Sequence, residues 1–178
     1  IDGLPTEVDF SEIEEKGKLW YHRFTSVVFT GVAKDFYENG ELYFEGNYIN
    51  GKEVGIHKQW YSEGQLKSEE NYKDGKREGL CKGWDRNGEI TENRTYIDGL
   101  PTEVDFSEIE EKEKLIYYKG TSVLFTGVVK ILYENGQLQK EVNLKDGKLE
   151  GLFKEWYQSG QLYFEGNYIN GKEVGIHK

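Results

Sequence analysis

The chain repeats itself at a fixed interval, and that interval limits what it can fold into. Residues 42–58 and 162–178 both read LYFEGNYINGKEVGIHK, and residues 1–16 and 97–112 both read IDGLPTEVDFSEIEEK. The offsets are 162 − 42 = 120 and 97 − 1 = 96, and both are multiples of 24. Glycines keep the same beat at Gly31, Gly55, Gly79, Gly127, Gly151 and Gly175, with one double step. A period of this length is the signature of a repeat architecture, in which one small supersecondary unit stacks on copies of itself.

Five units, 31–54, 55–78, 79–102, 127–150 and 151–174, align column by column. Column two is always aliphatic (Val32, Ile56, Leu80, Val128, Leu152) and column four always lysine (Lys34, Lys58, Lys82, Lys130, Lys154). Column six holds Phe36, Trp60, Trp84, Leu132 and Trp156; column eighteen holds Tyr48, Tyr72, Tyr96, Leu144 and Tyr168. Column ten is always glycine: Gly40, Gly64, Gly88, Gly136 and Gly160. Columns twenty and twenty-one are Asn-Gly or Asp-Gly, ending on Gly51, Gly75, Gly99, Gly147 and Gly171. Such pairs accept the positive φ angles of a type I′ turn, whose twist suits a β-hairpin. The column-ten glycine fits the left-handed position of a slightly longer turn. Each unit therefore holds two turns and two short strands. The apolar spacing is nearer 2 than 3.6 and glycines break every heptad, so helices are hard to place. The expected fold is all-β: an elongated, single-layer antiparallel β-meander of tandem 24-residue β-hairpin repeats. Strands about 4.8 Å apart would advance the array by roughly 10 Å per unit.

Two stretches keep the phase but not the columns. Residues 7–30 and 103–126 are acidic lead-in segments, each running up to a regular unit. Ser107 with Glu110 reads as a capping box for a short helix, and residues 115–118 and 123–126 read as strands. The organisation is a first array, 1–102, and a second, 103–178. The first holds the lead-in 7–30 and units 31–54, 55–78 and 79–102. The second holds the lead-in 103–126, units 127–150 and 151–174, and the start of a further unit at 175–178. Because the phase survives the lead-in, one continuous sheet is expected. Open strand edges at residues 1–7 and 175–178 are expected to favour end-to-end association.

The columns K-x-W-Y-x-x-G-Q-L and E-x-N-Y-x-D-G-K-x-E-G resemble the bacterial variant of the MORN repeat, best over residues 56–79 and 152–175. Asp85, Leu132 and Leu144 depart from that pattern. The resemblance covers the five units and the closing GIHK, and the lead-in segments look like those that precede such arrays. It implies a twisted β-sheet scaffold that holds partner proteins, assists dimerisation or sits beside catalytic domains. The expected function is a non-enzymatic scaffold for protein–protein interaction or self-assembly, end to end or face to face. Two other readings are an antitoxin or immunity-like protein that binds one toxin, and a cell-surface repeat that binds choline, glycan or lipid. A secreted or cell-surface bacterial setting is expected ahead of the cytoplasm.

Composition narrows the chemistry. A charged share of 31% could suit disorder, but an aromatic share of 15% argues against it. A net charge of −10 disfavours nucleic acid and anionic membranes, which bind through clustered Lys and Arg. No apolar run approaches the roughly 18 residues of a membrane helix. A lone Cys81 forms no internal disulfide and leaves the compartment undecided. The histidines are His22, His57 and His177, and the last two occupy one column in two copies. Catalysis needs different partners at one place, and no Ser/His/Asp or Cys/His set is readable, so no enzyme is expected. Cys81 shares column three with Ala33, His57, Val129 and Phe153, which reads as a variable column. Each turn supplies one Asp or Asn, too few oxygen ligands for calcium, so neither metal nor cofactor is expected.

The candidate binding residues are the aromatic columns: Trp60, Tyr61, Trp84, Trp156 and Tyr157, with Tyr48, Tyr72 and Tyr168. They read either as cross-strand packing or as a repeated groove for a peptide, glycan or choline-like group. The lysine column recurs in phase with Glu45, Glu69, Glu141 and Glu165. That is a mixed-charge ladder which keeps an exposed sheet soluble and in register.

Overall fold

A computed structural model of the chain describes residues 4–175. His177, the rest of the closing Ile-His-Lys and the first three residues lie outside them, so the expectation about free ends does too. The chain divides into two compact units, Ile1–Leu100 and Pro101–Lys178.

The first unit opens with β1 (Glu7–Asp9), one 3-10 turn (Phe10–Glu12), β2 (Ile13–Lys16) and β3 (Leu19–His22). The regular repeats follow as β4 (Gly31–Phe36), β5 (Leu42–Ile49), β6 (Lys52–Trp60), β7 (Leu66–Lys73), β8 (Lys76–Arg77), β9 (Gly79–Trp84) and β10 (Ile90–Ile97). The sheet runs β1-β4-β5-β6-β7-β9-β10, with β8 beside β7, and closes on the dipeptide β11 (Leu100–Pro101). In the second unit β12 (Glu103–Asp105), a 3-10 turn (Phe106–Glu108), β13 (Ile109–Lys112) and β14 (Leu115–Tyr118) precede the repeats. These are β15 (Gly127–Leu132), β16 (Leu138–Lys145), β17 (Lys148–Trp156), β18 (Leu162–Ile169) and β19 (Lys172–Val174), in a sheet ordered β12-β15-β16-β17-β18-β19. The protein is all-β, and its repeats are antiparallel hairpins in chain order, as their turn chemistry requires.

Both central residues of the tight turns have positive φ, for example Asn50 at 50° and Gly51 at 75°. That is the type I′ geometry that Asn-Gly accepts with least strain. Two side-chain columns then tie one repeat to the next inside each compact unit. Asn47, Asn71 and Asn143 donate from Nδ2 to the carbonyls of Ile56, Leu80 and Leu152 at 3.0, 2.5 and 2.7 Å. Tyr37, Tyr61 and Tyr133 donate from the phenol to the carbonyls of Trp60, Trp84 and Trp156 at 2.8, 2.9 and 2.7 Å. The tyrosine that follows column six thus spans one whole repeat.

The lead-in segments correct three expectations. First, they do not carry one sheet through the chain; among the described residues there are two main sheets, each with its own head. β1 pairs in parallel with β4 (Glu7↔Val32 to Asp9↔Lys34), and β12 pairs in parallel with β15. A parallel neighbour needs a long crossover, and the turn and hairpin between β1 and β4 supply it. Gly31 is required there, because a Cβ on it would collide with the carbonyl of Thr6, which accepts from Val32 N–H at 2.7 Å. Second, the capping box is not Ser107 with Glu110. It is Asp9 with Glu12 and Asp105 with Glu108, each around a single 3-10 turn. Third, residues 123–126 are no strand; Leu124 makes one isolated bridge to Tyr117.

The lead-in hairpins β2–β3 and β13–β14 are small separate sheets. Each caps the head of its own main sheet, and the hydrophobic core lies in between. In the first unit the core is Val8, Ile13, Phe29, Ala33 and Tyr48, with Phe10 and Trp20 packed against it. In the second it is Val104, Phe125, Val129 and Leu144, with Ile109, Ile116, Tyr118 and Val142. The first tight turn of each array anchors its hairpin. Trp20 N–H donates to Gly51 O at 2.8 Å and Gly51 N–H to Phe29 O at 2.7 Å. Ile116, Gly147 and Phe125 repeat this arrangement at 3.0 and 2.8 Å.

Candidate binding faces

The two faces of each sheet differ in chemistry. Column three pairs across the hairpin with column sixteen: Ala33↔Gly46, His57↔Glu70, Cys81↔Arg94, Val129↔Val142 and Phe153↔Gly166. This is the inner face. Ala33 and Cys81 are 0% exposed, Val129 2% and His57 6%. The column that varies most in sequence is therefore the best buried. Its identity varies because each member meets different neighbours: Ala33 lies in the lead-in core, His57 and Cys81 face Glu70 and Arg94, and Phe153 packs on Phe164 and Tyr168. Where column sixteen is glycine, a phenylalanine lies over it: a Cβ on Gly46 would meet Phe44 Cζ at 2.6 Å, and one on Gly166 would meet Phe164 Cζ at 3.0 Å.

Alternation along the strands puts columns two and four on the opposite, outer face. Column-four lysines meet the glutamates expected in phase: Lys34–Glu45 at 3.8 Å, Lys58–Glu69 at 3.5 Å and Lys154–Glu165 at 3.3 Å. Column two pairs with column seventeen, Asn in four repeats and Thr95 opposite Leu80; Ile56, Leu80 and Leu152 are 42, 43 and 44% exposed, and Val32 and Val128 less so.

The column-eighteen aromatics pack on the inner face. Tyr48 is core, 3% exposed, with Trp20, Phe29 and His57 at ring distances of 5.7, 5.6 and 5.2 Å. Tyr72 lies 4.7 Å from His57 on the inner face and donates to Glu70 Oε2 at 2.6 Å. Burial, aided by the Glu70 carboxylate, pushes its phenol up to about 12. Tyr168 packs on Phe153 at 5.7 Å. Trp60, Trp84 and Trp156 end the first strand of their units, and their carbonyls accept the tyrosine bonds described above. Tyr61 has Arg86 5.0 Å from its ring, and Tyr157 is 53% exposed with its ring 4.5 Å from Tyr163.

The inner face of the first unit carries a polar network that the sequence columns concealed. Arg77 donates to Glu70 at 2.8 and 3.2 Å, to Glu92 at 3.3 Å and to the Tyr96 phenol at 3.2 Å. Tyr96 in turn donates to Glu92 at 2.6 Å. His57 Nε2 accepts from Asn47 N–H at 3.1 Å, and burial holds its imidazole below the usual range although the Asn47 backbone, Glu53 and Glu70 pull the other way. Burial likewise pushes the Cys81 thiol up. These groups satisfy one another across neighbouring strands. Among the described residues, no cluster of three or more His, Cys, Asp or Glu is placed to hold a metal ion.

The second unit has a cavity of about 360 Å³ beneath its lead-in hairpin, lined by Phe106, Ile109, Ile116, Val142, Leu144 and Leu149 among others. The same place in the first unit is filled by rings: Phe10–Trp20 at 5.1 Å, Phe10–Phe44 at 5.2 Å and Trp20–Tyr48 at 5.7 Å. At the offset of 96, Trp20 becomes Ile116, Tyr48 becomes Leu144 and Phe44 becomes Lys140. Lys140 pairs with Glu155 at 2.6 Å, and Phe106, short of ring neighbours, is left 62% exposed.

The family model of the MORN repeat variant matches residues 29–50, 53–74, 125–146 and 149–170. Each match starts two residues before a column-one glycine and ends on the first residue of a type I′ turn. Four of the five aligned units are covered; the unit at 79–102 is not among them. No curated protein matches the chain. Repeats of this family are generally non-enzymatic modules in binding or scaffold roles. The matched hairpins, in phase and in sequence order, make this chain a MORN repeat protein of the variant type.

Proposed function

We propose that the chain is a non-enzymatic scaffold that holds a protein partner against the outer face of its sheets. The observation that supports this reading is the column-two row. Column two is aliphatic in all five repeats, and in three of them Ile56, Leu80 and Leu152 are 42, 43 and 44% exposed. Core packing does not demand apolar residues there. A lysine–glutamate ladder runs beside the row, giving an apolar strip with a charged margin, the anatomy of a protein interface. The titratable groups that a catalyst would use, His57, Cys81, Glu70 and Glu92, are buried in or tied to the inner face. A second copy of the chain is the alternative occupant of the outer face.

The test uses the full chain as bait, followed by reconstitution with the purified captured protein. Leu80→Ser together with Leu152→Ser should abolish a stoichiometric complex while circular dichroism stays unchanged. If the complex survives both substitutions, the outer face is not the interface. If the chain forms no complex and sediments as a monomer at every concentration, the scaffold reading itself is wrong.

A further inference from the structure

We infer that the cavity beneath the lead-in hairpin of the second unit is a receptor for an aromatic side chain next to a carboxylate, presented by a partner polypeptide. This rests on the scaffold reading above and names the chemistry of the partner.

Three observations carry it. The first is internal to the chain. Two lead-in caps share one backbone plan, one anchoring turn and one parallel strand, yet the first is packed with the rings of Phe10, Trp20 and Tyr48, and the second holds Ile116 and Leu144 around an open cavity of about 360 Å³. That volume lies within the range of ligand pockets, roughly 300–1,000 Å³. The shape that fills this frame is already known from the first unit, and it is an aromatic ring. The indole of Trp20 also needs a partner there, donating to Glu53 Oε1 at 2.9 Å. Leu149 replaces Glu53 in the second unit, so the lining is apolar and the polar recognition moves to the mouth.

The second observation is charge at that mouth. Lys148 and Lys114 border the cavity with Glu111. The counterpart of Lys148 is Lys52, which pairs with Asp74 at 3.6 Å. The residue matching Asp74 is Asn170, so the second unit has lost that carboxylate, and Lys148 is exposed. An incoming acidic group restores the pair.

The third is backbone strain. The β13–β14 turn places Glu113 and Lys114 at φ 54° and 65°, both left-handed and neither glycine. The matching turn of the first unit uses Gly17 at 71°. A two-residue hairpin loop of this type demands positive φ at both positions, which Glu and Lys adopt less readily than glycine. Here the loop sets Lys114 at the rim.

The experiment titrates the full chain with the blocked peptide acetyl-Glu-Trp-Glu-amide, following binding by calorimetry and by saturation transfer to the indole protons. One saturable site is expected. The double variant Ile116→Trp/Leu144→Tyr, which copies the first unit's filling, should weaken the peptide at least about tenfold. Lys148→Gln should weaken it severalfold at low salt and little at high salt. Lys148→Gln serves as the readout if the double variant fails to fold. Absence of saturable binding, or binding unchanged by either variant, overturns the site. Indole-3-acetate binding as tightly as the peptide overturns the polypeptide source. A partner captured equally by wild type and the filled variant removes this inference and leaves the scaffold reading. Peptide binding with no protein partner anywhere removes the scaffold reading instead.

Discussion

The anchoring of a lead-in hairpin by a single turn can be isolated with two alanines. Gly51 and Gly99 occupy the same column in two repeats of the first compact unit, at φ 75° and 85°. Alanine at either position pays for a left-handed conformation, about 1–2 kcal/mol. At Gly99 little is added, because its Cβ would meet only Lys76 Cβ at 3.7 Å, an ordinary contact. At Gly51 the Cβ would lie 2.7 Å from Trp20 O and 3.1 Å from Trp20 N. The hairpin must then withdraw. Two backbone hydrogen bonds go with it, Trp20 to Gly51 and Gly51 to Phe29, at about 1 kcal/mol each. The contact of Trp20 with Tyr48 at 5.7 Å adds about 1 kcal/mol more. Gly51→Ala should therefore cost about 4–5 kcal/mol and Gly99→Ala about 1–2. Urea unfolding read by hydrogen exchange of first-unit peptides measures both, with second-unit peptides as the internal reference. Equal losses would refute the anchoring, because they would leave only the φ cost that both positions share.

Three further outcomes follow from named contacts. Tyr61→Phe removes the bond to Trp84 O and should cost about 1 kcal/mol, whereas Tyr157→Phe, at a ring 53% exposed, should change the unfolding midpoint little. His57 is held neutral by burial, so as pH falls through about 6.5 the unfolded chain binds a proton before the folded one does. The stability that His57 lends to the first unit is full above about 6.5 and declines below it. His57→Phe, copying Phe153, should reduce the difference in urea midpoint between pH 7.5 and pH 5.5, and an unchanged difference would count against the assignment. Cys81 is 0% exposed with its thiol pushed up by burial, so iodoacetamide should label it slowly in the native chain and rapidly in urea. Fast native labelling would contradict its place on the inner face.

Much of this was legible in the sequence because turn chemistry is local. Asn-Gly at a fixed period dictates hairpins whatever lies around them, and the all-β meander follows. The inner face was hidden for a physical reason. Column three holds Ala33, His57, Cys81, Val129 and Phe153, which looks like tolerance at a surface. It is the reverse: Ala33, His57, Cys81 and Val129 are buried, each among different neighbours, and the residue type follows those neighbours rather than the column. The aliphatic regularity of column two misleads too, since Ile56, Leu80 and Leu152 are exposed. The lead-in heads could not be read from period alone either. Parallel pairing of β1 with β4 depends on a backbone approach between Thr6 and Gly31, and the residue types give no sign of it. Among the aromatic candidates, column eighteen joins the inner face, where Tyr48, Tyr72 and Tyr168 pack on neighbouring rings.

The central claim is that the outer face binds a partner while the inner face holds the sheet together. Hydroxyl-radical labelling of the full chain, alone and in its reconstituted complex, tests it most directly. The account predicts that Ile56, Leu80 and Leu152 label readily in the free chain and are shielded severalfold in the complex, with Ala33, Cys81 and Val129 unlabelled in both. Column-two labelling that is the same in the free and bound chain would contradict it.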